Sequence, residues 1–334
     1  MVDRDAIIDI IRIMDEPTLL VVGDFMLDTY VHGIVERISP EGPIPVLRAT
    51  EISSRAGGAG LVSKDASLLG AKVIGTGVVG DDPDGESVRD DLKRSGVDTT
   101  CLVGDSGRRT TRKTRYIGSV QSANRGGQQI LRVDKEDTDD LKSEIESELI
   151  TKINRVADDL NAILVSDYAK GTVTPTLMAQ LLAIAKERKI PIIIDPKRRD
   201  WTMYRGTTIL LPNRSEATVA LGRTFATSEL SAILWELRSA NELVAMAVTL
   251  DSEGIAVLPP DTNSIFWHWL PTIDVSDITG AGDMVAAVFG ICMADGIPLR
   301  HIAVIANYAA RIAIQHRRQK TVTREAIIAE LERT

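Results

Sequence analysis

The sequence predicts an α/β fold, a doubly wound and mostly parallel sheet with a small antiparallel β lid. Three observations predict it. Short β-branched runs alternate with longer helical patterns along most of the chain. Each run is apolar, brief and ended by a turn or a charge, as a strand covered on both faces is. Two other stretches alternate apolar with polar residues between Gly and Pro, as strands outside a main sheet do.

In chain order, Leu19–Val22 is the first buried run. Thr29 to Thr50 alternates and pairs with Thr110 to Val133, placing lid segments at about 29–54 and 108–134. Between them Lys72–Ile74 reads as a strand and Asp84–Arg94 as a helix. Helices at Leu141–Leu160 and Thr176–Lys189 then alternate with strands at Ala162–Val165 and Pro191–Ile194. Thr208–Leu211 and Val244–Leu250 are further strands, and Phe266-Trp267-His268-Trp269 reads as a packed one. Met284–Ala294 is an apolar helix and Arg324–Arg333 a surface helix. Such sheets bind ligands at the carboxyl ends of their strands, so the residues just after each run matter most.

Composition narrows the function. The 334 residues, 44% hydrophobic and 26% charged, suit roughly two domains or one large α/β domain, with a core that needs no staples. Thirty-nine basic against 47 acidic residues leave a net charge of −8, and no long basic block is present. That balance argues against nucleic-acid and anionic-membrane partners. No apolar run approaches the roughly 20 residues of a spanning helix. The amino terminus lacks the features of a secretory signal, so the chain reads as soluble and cytoplasmic. Cys101 and Cys292 match no metal-ligand spacing and read as buried thiols of a reducing compartment.

Gly75-Thr76-Gly77-Val78-Val79-Gly80 matches the dinucleotide fingerprint letter for letter, in the wrong context. Asp81-Asp82-Pro83-Asp84-Gly85 intervenes as a turn where the fingerprint's helix should start. The sharpest segment is Asp277-Ile278-Thr279-Gly280-Ala281-Gly282-Asp283, immediately before the apolar helix. Small residues there leave backbone N–H groups free, and the helix dipole adds positive charge, making an anion hole. Asp283 either caps that helix or acts as a base. Pro212-Asn213-Arg214-Ser215-Glu216 follows a strand, with Asn and Glu three apart as a helix start or a seat for a hydrated cation. Asp195-Pro196-Lys197 ends a strand where a lysine can meet phosphates. Gly57-Gly58-Ala59-Gly60 offers a close backbone approach. Arg109, Lys113 and Arg115 alternate onto one strand face, fit either to clamp a phosphorylated ligand or to blunt an edge.

From about Thr18 to Val322 these motifs resemble the PfkB-type, ribokinase-like carbohydrate kinases. Gly77-Val78-Val79-Gly80-Asp81-Asp82-Pro83-Asp84-Gly85 and Asp277–Asp283 carry the resemblance. Within that family the chain is most similar to the D-glycero-β-D-manno-heptose-7-phosphate kinases. The closer match rests on Val22-Gly23-Asp24-Phe25-Met26-Leu27-Asp28, on Arg37 to Val46, and on Ser166-Asp167-Tyr168-Ala169-Lys170-Gly171. Asp195 to Lys197 and Pro212 to Glu216 continue it.

The resemblance implies a ribokinase-like fold in a single domain spanning 1–334, dimerised through its lids, that transfers a phosphoryl group from ATP-Mg²⁺ to a sugar phosphate. It implies Asp283 as the base, with the Gly280, Ala281 and Gly282 amides holding charge on the transferred group. Asp24, Asp28, Gly57 and Gly58 would meet the sugar, and Lys113 and Arg115 its phosphate. Asn213 and Glu216 would organise Mg²⁺ through water. Lys197 would reach the nucleotide phosphates, and Thr249, Gly254 and Asn307 would line the adenosine pocket.

Three departures from the pattern bear on substrate and cofactor. Leu61 stands where the family has Asn, and Arg112 where the heptose kinases usually have Thr. His316–Thr321 replaces a glycine-bearing loop beside the nucleotide, so activation by K⁺ is implied by the family and not by this segment. Bifunctional relatives append a nucleotidyltransferase domain, and a chain stopping at Thr334 is expected to be kinase only. Because of Leu61, a same-fold kinase for another sugar, sugar phosphate or nucleoside is the nearest alternative, and two further readings come from other classes. Asp283 argues against a non-catalytic sugar sensor, and the turn after Gly80 argues against a dinucleotide oxidoreductase.

Overall fold

A computed structural model describes residues 3–119, 127–260, 262–271, 280–315 and 321–333. The chain opens with α1 (Arg4–Ile13), capped by the Asp3 carboxylate, which accepts the Asp5 N–H; Ile7, Ile8 and Ile11 are buried along one stripe. β1 (Thr18–Gly23) passes through Asp24 into β2 (Phe25–Ile38), which returns as β3 (Pro45–Gly58). Next come α2 (Ala59–Leu68), β4 (Lys72–Gly80), α3 (Pro83–Arg94) and β5 (Leu102–Asp105). β6 (Thr111–Ser119) and β7 (Gln128–Lys135) form a second hairpin. α4 (Ser143–Val156), β8 (Ala162–Asp167), α5 (Pro175–Arg188), β9 (Ile192–Pro196) and β10 (Ile209–Leu210) follow. The remainder is α6 (Arg214–Leu221), α7 (Leu230–Ala240), β11 (Ala245–Thr249), β12 (Ile255–Leu258), β13 (Phe266–His268), α8 (Ala281–Ala294), α9 (Leu299–Gln315) and α10 (Arg324–Arg333).

The main sheet runs β13-β12-β11-β10-β9-β8-β1-β4-β5. Its pairs are parallel except at one edge, where β11–β12 and β12–β13 are antiparallel. Strand alternation splits the core into two layers. Leu19, Val21 and Ile193 face the layer of α8 and α9, whereas Leu20, Val22, Ile192 and Ile194 face that of α5 and α7. Burial on both faces explains why these runs are apolar without a break.

The lid is ordered β3-β2-β6-β7. Two antiparallel pairs, β2–β3 and β6–β7, join along a parallel β2–β6 seam, since both seam strands leave the main sheet in the same direction. The lid strands are longer than the alternation predicts, because β2 and β3 run back into the core at Phe25 and Gly58.

Four expectations are corrected. β4 continues to Gly80, so the fingerprint glycines are strand throughout. Asp82 caps α3 by accepting the Gly85 N–H, so the helix opens inside the segment read as a turn. Arg109 precedes β6 and its N–H is held by Asp137, which takes it off the face shared by Lys113 and Arg115. Asp283 is no cap: Gly280 holds that position at φ +85°, a left-handed conformation suited to glycine, and Asp283 lies within the first turn of α8.

Among the described residues no helix is long and apolar enough to cross a membrane. Cys101 and Cys292 are both buried and free. Asp277, Ile278 and Thr279, like residues 316–320, lie outside the described residues.

Candidate active site

The parallel register sets the ends of β1, β8 and β9 level: Gly23 pairs with Ser166, and Ser166 with Asp195. The residues that follow these strands therefore share one edge of the sheet, beneath the lid and beside the start of α8.

Asp24 turns away from that edge. Its Oδ2 accepts the N–H groups of Tyr168 (2.8 Å) and Lys170 (3.0 Å), and its Oδ1 accepts that of Thr172 (3.2 Å). Burial, and then the charge of Asp167, push its carboxyl above the usual range. Asp24 is thus engaged in shaping the 168–172 loop rather than pointed at the cleft. Asp167 holds the same loop from the other side. It is fully buried, accepts the Ala169 N–H, and takes hydrogen bonds from Arg198 (2.7 Å) and the Tyr204 hydroxyl (2.5 Å). Between these two carboxylates Ala169 adopts φ +57°, strained for a residue with a Cβ.

The lid contributes Asp28 and Lys113, which are paired across the β2–β6 seam. Asp28 Oδ1 accepts from Arg115 at 2.7 Å, and the Arg115 guanidinium also lies over the Tyr30 ring. Gly57 makes room for this carboxylate: a Cβ there would meet Asp28 Oδ2 at 2.4 Å. Arg115 is therefore committed to Asp28. Lys113 instead lies 4.9 Å from the centroid of the Tyr168 ring, and burial lowers its pKa against the pull of Asp28.

On the sheet side, Lys197 donates to Asp195 (2.8 Å) and Glu216 (2.9 Å) and lies 5.7 Å from the same ring. Burial favours the neutral amine, but the two carboxylates more than offset it and the ammonium is held charged. Burial likewise raises the Glu216 carboxyl, with Lys197 opposing. Asn213 and Glu216 lie side by side at the start of α6. They form a reciprocal capping box, Asn213 Oδ1 accepting the Glu216 N–H and Glu216 Oε2 accepting that of Asn213. The helix-start reading of this motif holds, and Glu216 Oε1 still faces Lys197.

Asp195 Oδ2 is buried without a hydrogen-bond partner. Beside Glu216, this atom suits a hard cation held by one or two carboxylates and completed by water and phosphate oxygens. The described residues contain no cluster of three ligating side chains, so an all-protein cage is absent among them.

Asp283 is buried in the first turn of α8, and its Oδ1 accepts from the Tyr168 hydroxyl at 3.0 Å. A Cβ built on Gly282 would meet nothing within 4 Å, so open space adjoins the helix start. The remaining predicted residues gather at the antiparallel edge. Thr249 bridges to Asn213, and Gly254 (φ +90°) lies against the His268 carbonyl. Asn307 Nδ2 donates to that carbonyl at 2.9 Å and lies 3.0 Å from His268 Nδ1.

Sequence reasoning missed Tyr168 and His268. Tyr168 stood only within a resemblance motif, and His268 within a strand read as packing. One signal was available for the tyrosine: it directly follows a buried strand whose carboxyl end faces the cleft.

A large, mostly parallel sheet, a β lid over its carboxyl edge, and a helix start bearing an aspartate are the frame in which carbohydrate kinases of one family are built, and the sequence places the chain there. Residues 16–325 match the model of the pfkB family carbohydrate kinases. The chain belongs to this family, whose members are phosphotransferases acting on a sugar hydroxyl.

It is 39% identical over 315 residues to the bifunctional protein HldE of Geobacter sulfurreducens, covering 93% of this chain and 62% of that protein. It is 34% identical to the HldE of a Caulobacter species, over 97% of this chain and 64% of the relative. The chain thus spans less than two thirds of the length of these curated relatives. Among solved structures it superposes on Arabidopsis thaliana ribokinase complexed with ribose and ATP with a TM-score of 0.73, at 18% identity over 95% of this chain and 99% of that one. Escherichia coli phosphofructokinase-2 in complex with substrates and products gives 0.75, at 16% identity over 95% and 100%. These likenesses show the fold, ribokinase-like as expected.

Proposed function

We propose that the protein is an ATP- and Mg²⁺-dependent kinase of D-glycero-β-D-manno-heptose 7-phosphate, acting at the anomeric hydroxyl to give the 1,7-bisphosphate. One observation carries this reading. Tyr168 gathers a lid lysine and a sheet lysine at its ring while its hydroxyl holds Asp283. The site therefore offers one ammonium for an acceptor that already carries a phosphate, a second for the donor's phosphates, and a carboxylate base. The heptose assignment is supported by the sequence motifs and by similarity to the HldE proteins.

In this reading Asp283 takes the proton of the anomeric hydroxyl as its oxygen attacks the γ-phosphorus, and the bond to the departing ADP breaks. The amides of Gly280, Ala281 and Gly282 face the charge that develops on the transferred group. Asp28 accepts from sugar hydroxyls, with Gly57 and Gly58 keeping the approach open. Lys113 takes the existing phosphate, with Arg115 acting through Asp28. Lys197 meets the nucleotide phosphates, and Thr249, Gly254 and Asn307 flank the adenosine. Asp195 and Glu216, with Asn213 setting the helix start, would hold Mg²⁺ through water. The ion would neutralise phosphate charge. The reading of 1–334 as one kinase domain working in the cytoplasm belongs to the same proposal. So does a homodimer through the lid, supported by exposed Ile38, Ile44, Ile52, Leu131 and Val133 on lid strands and their connecting turn.

The test is ADP release in a coupled assay with heptose 7-phosphate, sedoheptulose 7-phosphate, fructose 6-phosphate, ribose and adenosine as acceptors. Asp283→Asn is the control and should lose about 10²–10⁴-fold in turnover while staying folded. Turnover confined to ribose or adenosine would overturn the sugar-phosphate assignment, and wild-type turnover by Asp283→Asn would remove the base.

A further inference from the structure

We propose that Tyr168 is a positioning residue for the base: its hydroxyl, donated to Asp283 Oδ1 at 3.0 Å, orients that carboxylate toward the acceptor hydroxyl, and the 168–172 loop, anchored by buried Asp24 and Asp167, exists to aim it. The inference rests on the reading of Asp283 as the base.

Four observations carry it. The two residues are 115 positions apart, so the contact comes from the tertiary fold and not from local helix geometry. The tyrosine's backbone is held before its side chain is, because Asp24 fixes the N–H groups of Tyr168, Lys170 and Thr172, and Asp167 fixes that of Ala169. Two buried carboxylates and a strained φ at Ala169 are a heavy outlay for a loop that merely links β8 to α5. The ring is held as well, with the Lys113 and Lys197 ammoniums within cation–π reach.

The chemistry follows from the groups that face the hydroxyl. Burial raises the Tyr168 pKa, and the charges of Asp283, Asp195 and Asp28 raise it further, so the phenol keeps its proton throughout the working pH range. A permanent donor fixes one oxygen of Asp283 and with it the rotation of the carboxylate. It also favours the ionised form, the form that can accept a proton. Because Lys113 belongs to the lid, the same ring links the orientation of the base to the strand that meets the acceptor.

The experiment compares Tyr168→Phe with the wild-type full chain, since phenylalanine keeps the ring and both lysine contacts. With the best acceptor of the panel, kcat should fall about 10-fold, the loss of one hydrogen bond to a charged group. KM for ATP and acceptor should stay within about twofold, with the melting temperature near wild type. The acidic limb of the kcat–pH profile should move up by about one pH unit. A substrate-independent arm follows the Asp283 carboxyl by ¹³C NMR of aspartate-labelled protein, where its titration should lie higher in Tyr168→Phe than in wild type. Unchanged kcat and pH limb in Tyr168→Phe, beside an inactive Asp283→Asn, would overturn the proposal and leave the base in place. An unchanged Asp283 titration would overturn it whatever the acceptor. An active Asp283→Asn would instead bring down the base itself.

Discussion

Arg115 and Asp28 form an ion pair of 2.7 Å across the lid seam, with side chains only 12% and 7% exposed. The arginine counted among the phosphate ligands from sequence is therefore engaged as the partner of the candidate sugar contact.

Arg115→Ala and Lys113→Ala should consequently differ. The first leaves Asp28 buried without its partner, at a cost of about 3–5 kcal/mol, and should lower both stability and kcat/KM for any sugar. The second should leave stability near wild type and raise KM for a phosphorylated acceptor about 10-fold or more. Thermal melts with steady-state kinetics on both variants check this, and an unchanged KM in Lys113→Ala would remove its phosphate role.

Asp91 ties the foot of the lid to α3. Its Oδ2 accepts from Lys64 at 2.6 Å and from the Ala56 N–H at 2.9 Å. Burial alone would raise this carboxyl, but those bonds prevail and hold it below the usual 3.8. A depressed folded value means that the unfolded chain binds the proton more readily, so the stability it contributes is present above about pH 4 and lost as pH falls through the folded value. Asp91→Asn should cost about 1–3 kcal/mol at pH 7, with the gap closing toward pH 3. Urea unfolding at the two pH values measures it, and a gap independent of pH would contradict the assignment.

Arg324 closes the other end of the molecule. Its guanidinium donates to the carbonyls of Met14 (2.6 Å), Asp15 (2.6 Å) and Leu69 (2.7 Å), joining α10 to the ends of α1 and α2. Arg324→Ala strands these carbonyls and should destabilise by about 2–4 kcal/mol. KM should not move, since the site lies at the opposite edge of the sheet. Denaturant midpoints beside kinetics would show it.

The lid's outer apolar residues make a prediction about assembly. Ile52 is 67% exposed in β3. Ile52→Asp should shift a lid-mediated dimer toward monomer in sedimentation velocity while the melting temperature stays close to wild type. An unchanged sedimentation coefficient for a dimeric protein would put its interface elsewhere.

Much of the scaffold was readable because burial on both faces writes itself as unbroken apolar runs. β1, β8, β9, β10 and β11 all lie where such runs occur. β5 and β12 were passed over, each only four residues long and too short to stand out. α1 was missed although Ile7, Ile8 and Ile11 mark a helical stripe, because the segment was read only for a signal peptide. Within the site, residue type disclosed chemistry but not direction. Nothing local tells that Asp24 faces a loop while Asp28 faces the cleft side of the lid, since that depends on the twist of β2 and on Gly57 yielding space. Tyr168 could be placed after a strand end, but its contact with Asp283 could not be read, since that partner lies more than a hundred residues downstream.

The lid is tied to the body at four points: β1 into β2, β3 into α2, β5 to β6, and β7 to α4. A flap hung on a single linker could twist, slide or detach. Four tethers along one edge resist twisting and sliding better than one linker would, so a movement of this lid would be a bend about that edge. Asp28 and Lys113, neighbours across the seam, must then swing together like teeth on one jaw. Such a bend would change both contacts through one angle, so the lid would not admit a longer acceptor by loosening one side alone.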